Sequence, residues 1–244
     1  MGKLTDTIRR LHHSFCTVVV VAAGASSRMG EGENKLFLEL DGKPVLAWTL
    51  SALNGCGAVD EIILVTRPEQ IDAAGALRSE YGIDKLTKII FGGATRTESA
   101  LAGVTAASGR AKIIAIHDGA RPFVTQQVVA DAVHNAVLYE AAAPAVPLKD
   151  TVKRAEKGVV QETPERSALF AVQTPQAFRA EIIKAALTKA VQDNVSYTDD
   201  CAAVEALGCP AHLSKGDEEN IKITTPADLD LARLILEKRR EAET

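Results

Sequence analysis

Short runs of β-branched and other apolar residues alternate along the chain with longer stretches whose apolar positions recur at helical spacing. Continuous apolar runs bounded by turn residues predict strands at Thr17–Val21, Glu61–Thr66, Thr87–Phe91, Lys112–His117 and Ala141–Pro147. The 3.6-residue pattern predicts helices at Val45–Asn54, Pro68–Arg78, Thr97–Ala107 and Thr125–Leu138. Strands apolar throughout, alternating with helices of this length, describe a mostly parallel sheet covered on both faces. Right-handed crossovers make it a doubly wound, Rossmann-like α/β layer. Ligands of such sheets bind beyond the carboxyl ends of the strands, where loops begin.

The pattern changes after Pro147. Lys149–Arg154 and Val159–Glu162 read as a charge-rich hairpin turning at Glu156-Lys157-Gly158. A polar two-stranded ribbon is marginal by itself, so this arm is expected to lean on something else, a second subunit being one candidate. Helical patterning returns at Arg179–Val191 and Asp199–Leu207. A last short strand is expected at Asn220–Thr224, before a helix from Pro226 to about Arg240 with Thr225 as its N-cap. No repeat, low-complexity tract or shift of composition marks a second domain. The expected organisation is an N-terminal extension at 1–16 and one domain at 17–244, with the arm at about 148–165.

Composition narrows the function classes. The chain has 244 residues, 46% apolar and 25% charged, enough for a sizeable core and unlike a disordered or fibrous chain. Its 28 Lys and Arg against 32 Asp and Glu give a net charge of -4, so there is no bulk field for nucleic acid and anions must be met by local charge. Cys16, Cys56, Cys201 and Cys209 are scattered without a C-x-x-C pair, which fits a reducing compartment and no thiolate metal site. The apolar run Val18–Ala23 is too short to span a bilayer, and residues 1–15 lack the apolar core of a secretory signal. A cytoplasmic protein without membrane contact is expected.

Three motifs follow predicted strands. Ala22-Ala23-Gly24-Ala25-Ser26-Ser27-Arg28-Met29-Gly30 offers small residues whose backbone N–H groups can cradle a phosphate, with Arg28 and Lys35 as local cations. A plain tight turn is the alternative. It is neither G-x-G-x-x-G nor a P-loop, because Gly24 is followed by Ala25 and Ser26 and no Gly-Lys-Ser/Thr occurs. His117-Asp118-Gly119-Ala120-Arg121-Pro122 places an acid where it can meet a ribose or magnesium, and Arg121 where it can meet a phosphate or carboxylate. Here the alternative is an Asp–Arg pair bracing a turn, with His117 a satisfied strand-end histidine. Gly92-Gly93-Ala94-Thr95-Arg96-Thr97-Glu98-Ser99 offers close backbone contact to a flat ring and the Ser99 hydroxyl, although Thr97 and Ser99 also read as helix caps. Lys222, inside a predicted apolar strand, needs an anion, and Thr198 reads as an N-cap.

In order, A-A-G-x-x-x-R-M-G, Lys35, G-G-x-x-R-x-x-S, H-D-G-A-R-P, D-T-V-K-R, T-P-Q and N-I-K-I-T resemble the 2-C-methyl-D-erythritol 4-phosphate cytidylyltransferases from about Thr17 to Leu236. The resemblance implies that CTP and methylerythritol phosphate give a CDP-alcohol and pyrophosphate with Mg²⁺, and that the arm crosses to a partner subunit in a homodimer. It implies that Arg28 and Lys35 stabilise the triphosphate, and that Arg166 and Lys222 position the substrate phosphate. Ala22, Ala23, Gly93 and Ser99 would hold cytosine and Asp118 the sugar, while Arg121, Thr151 and Thr198 would meet methylerythritol phosphate. The sequence departs from the family pattern at Ser26, usually glycine, and at Ala94, commonly aspartate. Ribitol-5-phosphate cytidylyltransferase shares most of these motifs and is the rival reading, as is a non-catalytic nucleotide-binding regulator.

Overall fold

The computed structural model describes residues 14–24 and 35–243. Most of the expected extension, together with Ala25, Ser26 and Arg28, lies outside them. The first strand, β1 (Cys16–Val21), starts one residue earlier than expected, at the last position assigned to the extension, because Phe15 already accepts hydrogen bonds from Lys112 and Ile113. Along β1 the side chains alternate between two cores. Val18 and Val20 face α1 (Val45–Asn54), while Val19 faces the opposite layer. Each buried aliphatic side chain of this kind contributes roughly 1.5–3 kcal/mol of transfer free energy.

The chain then alternates as the apolar pattern predicts. β4 (Glu61–Thr66), α2 (Ile71–Glu80), β5 (Leu86–Phe91), α3 (Arg96–Ala106), β6 (Ile113–Asp118), α4 (Gln126–Tyr139) and β7 (Ala141–Pro147) follow in order. Strands β5, β4, β1 and β6 lie side by side and parallel, so β1 is central and its carboxyl end opens between β4 and β6. Helix α3 approaches that centre very closely. A Cβ on Gly103 would stand 2.2 Å from Val19 Cγ1 and 2.8 Å from Val65 Cγ2, so only glycine lets the helix seat here.

Two strands beyond β6 are antiparallel and were not predicted. β10 (Phe170–Val172) and β11 (Gln176–Arg179) both run against β7, in registers offset by the break at Gln173-Thr174-Pro175, whose Thr174-Pro175 bond is cis. β11 also pairs with β6, and β12 (His212–Lys215) pairs parallel with β7. The sheet is therefore mixed but mostly parallel. Helices α5 (Ala180–Gln192) and α6 (Asp200–Glu205) cover the face that α3 covers.

Three local expectations need correction. The hairpin is shorter than predicted: β8 (Arg154–Glu156) pairs with β9 (Val159–Glu162), and 149–153 forms no strand. Its turn is the two-residue loop Lys157-Gly158 with φ of 49° and 81°, the left-handed pair that matches strand twist. Asn220–Thr224 is not a strand; it makes one backbone bond to the neighbouring loop, Ile223 N–H to Ala120 O, and its other backbone bonds are local turns, Asn220 N–H to Asp217 O and Ile221 N–H to Glu219 O. A small hairpin, β2 (Glu39–Leu40) and β3 (Lys43–Pro44), turns at Asp41-Gly42 and was missed. Helix α7 (Pro226–Glu243) closes the chain, seating Ala232, Ile235 and Leu236 against Leu40, Val45 and Phe123. At its start the Asp228 carboxylate accepts from Thr224 N–H, Thr224 Oγ1–H and Thr225 N–H.

Candidate active site

The carboxyl ends of β1 and β6, the start of α3 and the segment before α7 converge on a cleft of about 180 Å³. Ala22, Gly24, Lys35, Arg96, Asp118 and Lys222 line it. The β1 loop leaves the sheet with Ala22 N–H still bonded to Val65 O. Arg67, just past β4, then braces it, donating from Nε to Ala23 O at 3.1 Å and from Nη2 to Gly24 O at 2.8 Å. Sequence reasoning passed over Arg67; an arginine directly after a fully buried strand was the available signal.

The glycine pair is dictated by packing. A Cβ on Gly92 would lie 2.6 Å from Ala23 Cβ and 2.7 Å from Ser99 Oγ, and one on Gly93 would lie 2.3 Å from Glu98 Cβ. The two loops therefore touch through backbone, which leaves Ala23, Gly93 and Ser99 side by side. Ser99 Oγ accepts from Gly93 N–H at 3.1 Å and donates to Thr95 O at 2.9 Å. Neither Thr97 nor Ser99 caps α3. That position belongs to Thr95, whose hydroxyl accepts from Glu98 N–H while Glu98 Oε2 accepts from Thr95 N–H, a reciprocal capping box.

Asp118 ends β6 with Lys222 Nζ 2.8 Å from its Oδ2 and Arg121 Nε at 3.7 Å. Burial works against its charge, but Lys222, Arg96 and Arg121 together hold the carboxyl below its usual range. Arg121 also donates from Nη1 to Asn220 O at 2.6 Å, so the two motifs lock together. Asn220 is fully buried and donates to Thr174 O at 3.0 Å, leaving its Oδ1 without a protein partner among the described residues. Lys222 thus meets its anion within the cleft rather than inside a strand.

Behind this loop lies His117, fully buried. Asp118 N–H donates to Thr174 Oγ1, Thr174 Oγ1 lies 3.0 Å from His117 Nδ1, and His117 Nε2 lies 3.3 Å from Arg121 O. A carbonyl only accepts, so Nε2 carries the proton and Nδ1 accepts from the threonine hydroxyl. Burial pushes the ring's pKa down to about 4, which keeps it neutral. His117 is the satisfied strand-end histidine that its sequence context predicts.

Two further residues of this neighbourhood belong to the quoted motifs but carry no role in the sequence reading. Arg96, the first residue of α3, forms a fork on Asp200, with Nη1–Oδ1 at 2.9 Å and Nη2–Oδ2 at 2.7 Å. Gln176 accepts from Asp200 N–H and Cys201 N–H and donates to Asp199 Oδ2. Asp199, not Thr198, caps α6, accepting from Ala202 N–H at 2.9 Å. Thr198 stands exposed just ahead of it. Thr151 and Arg166 are exposed on the arm, where Arg166 donates to Lys149 O, and neither is among the residues lining the cleft.

A sheet-end cleft lined by Lys35, Arg96 and Lys222 with one acid, on a mostly parallel α/β sheet, suits the phosphates of a nucleotide, and the comparisons identify a nucleotidyltransferase. The family model for 2-C-methyl-D-erythritol 4-phosphate cytidylyltransferase matches residues 16–238. A 2-C-methyl-D-erythritol 4-phosphate cytidylyltransferase of Halalkalibacterium halodurans is 44% identical over 92% of this chain and 98% of its own. One of Caldanaerobacter subterraneus subsp. tengcongensis is 42% identical over 91% and 99%. The crystal structure of 4-diphosphocytidyl-2C-methyl-D-erythritol synthase from Anaerococcus prevotii superposes with a TM-score of 0.82 at 29% identity, covering 92% of this chain and 97% of that one. The chain belongs to the 2-C-methyl-D-erythritol 4-phosphate cytidylyltransferase family, whose reaction is a step of the non-mevalonate pathway.

Proposed function

We propose that this cleft joins CTP to 2-C-methyl-D-erythritol 4-phosphate, an oxygen of the substrate phosphate attacking the α-phosphorus of CTP. The new P–O bond forms as the bond between the α-phosphorus and the bridging oxygen breaks, and pyrophosphate leaves. No protein base is needed, because the attacking phosphate is already ionised. Catalysis is orientation and neutralisation of two anions that repel each other. The observation that carries this reading is the 2.8 Å pair of Lys222 and Asp118 in a cleft that Lys35 also lines.

In this reading Ala22, Ala23, Gly93 and Ser99 hold cytosine, with Gly24, Ala25 and Ser26 offering backbone N–H groups to phosphate. Arg28 and Lys35 act on the triphosphate, Asp118 on the ribose, and Lys222 and Arg166 on the incoming phosphate. Arg121, Thr151 and Thr198 recognise the polyol phosphate. Among the described residues no three His, Cys, Asp or Glu side chains converge on a metal. Magnesium carried on a triphosphate needs only one or two protein carboxylates, and Asp118, the one acid lining the cleft, could take that part in place of the ribose contact. Bound there, the cation would offset charge on the departing pyrophosphate.

The arm supports a homodimer. Val159 and Val160 are 62% and 54% exposed on a two-stranded ribbon that packs on nothing else in its own sheet, and Arg166 and Thr151 need a cleft to serve. We take residues 17–244 as one catalytic domain bearing this arm. The four free cysteines favour work in the cytoplasm, and no described helix is long and apolar enough to cross a membrane. Pyrophosphate release with CTP and a panel of polyol phosphates tests the acceptor. Methylerythritol phosphate is expected to turn over fastest; faster turnover of ribitol 5-phosphate would replace this reading with its cousin.

A further inference from the structure

We propose that Arg96 is a positioning residue, a strut whose fork on Asp200 holds the acceptor-side loop Tyr197–Asp199 at a fixed distance from the nucleotide-side loop Gly92–Thr95. The inference rests on the acceptor role proposed above for Thr198. Arg96 and Asp200 are 104 residues apart in sequence, yet each is the first residue of its helix and each directly follows one of the two loops. Neither end of the strut has slack. On one side the Thr95–Glu98 capping box and the Gly93–Ser99 bond fix the turn into α3. On the other, Gln176 ties down Asp200, Cys201 and Asp199 together.

The chemistry of the pair also points beyond fold maintenance. Asp200 is 1% exposed, whereas Arg96 keeps 32% exposure and lines the cleft with Lys35, Asp118 and Lys222. Burial of a carboxylate is costly, and only a planar two-pronged donor meets both its oxygens at once. The Asp118 and Asp199 carboxylates add to the pull on the guanidinium, so its charge is held at the junction of the two loops. A strut joining two substrate loops converts small errors in its length into misalignment of attacking and receiving atoms. Displacements near 1 Å can cost about a hundredfold in rate.

Arg96→Lys keeps the charge but loses the fork, and Asp200→Asn keeps the shape but loses the acceptor pair. With saturating CTP, each is expected to lower kcat/KM for methylerythritol phosphate by about tenfold or more. The double variant should be no worse than about twofold beyond the weaker single variant, since either change breaks the same strut. Multiplying effects would mean that Arg96 acts independently of Asp200, and would overturn the proposal. So would a kcat/KM within about twofold of wild type in Arg96→Lys with only a lowered Tm, the result of a purely structural pair. If Asp200→Asn does not fold, Arg96→Lys alone decides by the same criterion. The wild type in the same assay separates the two readings. An inactive wild type overturns the acceptor assignment and the strut with it, while an active wild type with unaltered variants overturns the strut alone.

Discussion

Lys222 Nζ stands 2.8 Å from Asp118 Oδ2, closing a contact between a strand end and a segment 104 positions later. The lysine is 39% exposed on its side chain, so the pair adds at most about 1 kcal/mol to stability. Its larger value lies in poise: a cation already held at the cleft by one carboxylate can be shared with an incoming phosphate. Lys222→Ala is therefore expected to leave Tm within a few degrees while lowering kcat/KM for the polyol phosphate by on the order of 10²–10³. Thermal melts and steady-state kinetics on the same preparation check both halves. A large fall in Tm with kcat/KM retained would make the lysine a structural brace for Asp118.

Arg28→Ala and Lys35→Ala are expected to act on kcat. Both are assigned to phosphates whose charge shifts as pyrophosphate leaves, so their contribution is greater in the transition state than in bound CTP. Loss of one such donor costs about 2.7–4 kcal/mol, on the order of 10²–10³ in kcat. A raised KM for CTP with kcat within about threefold of wild type would instead mark them as uniform binders.

If Arg166 serves the neighbouring cleft, activity can be rebuilt from two inactive chains. Mixing Lys222→Ala with Arg166→Ala lets a hybrid dimer combine one chain's Lys222 with the other's Arg166 in a single intact site. Roughly a quarter of wild-type activity should return at equal mixing with random exchange. Activity that stays at the level of the separate variants, with exchange verified by sedimentation of tagged chains, would place Arg166 in its own chain's site.

The alternating α/β half of the molecule was legible because its strands are long and apolar on both faces. Ile62 to Val65 and Ile113 to Ile116 allow no other reading. The antiparallel half was not. Phe170–Val172 and Gln176–Arg179 are three and four residues long and interrupted at Pro175, too short to carry a period. Asp41-Gly42 was a clear hairpin signal left unused. The Asn220–Thr224 segment imitates a strand by its alternation, but its polar partners lie on loops. At the site, residues within one motif were legible and pairs between motifs were not. Nothing local to Arg96 points to Asp200, or to Thr174 from His117, since those contacts exist only once the sheet has brought the loops together.

His117 gives the molecule an acid-side weakness with a defined window. In the folded chain its buried ring stays neutral until the pH falls to about 4, whereas an unfolded histidine takes up a proton near 6.5. Between those values the unfolded chain binds more protons, so stability falls as pH drops from about 6.5 to about 4. The whole window corresponds to about 3 kcal/mol. Asp118, held below its usual range, draws on stability only at still lower pH, below the unfolded carboxyl value of about 3.9. The two effects therefore separate on the pH axis. His117→Gln can still donate to Arg121 O and accept from Thr174, but it does not titrate. It is expected to be less stable than wild type at pH 7 by about 1–3 kcal/mol through imperfect hydrogen bonding. Its stability should nevertheless vary less between pH 6.5 and 4, so that the two curves converge toward the acid end. Urea unfolding across that range measures both curves. Parallel curves would show that His117 is protonated in the folded chain at ordinary acidity, and that its bonds to Thr174 and Arg121 do not hold the ring neutral.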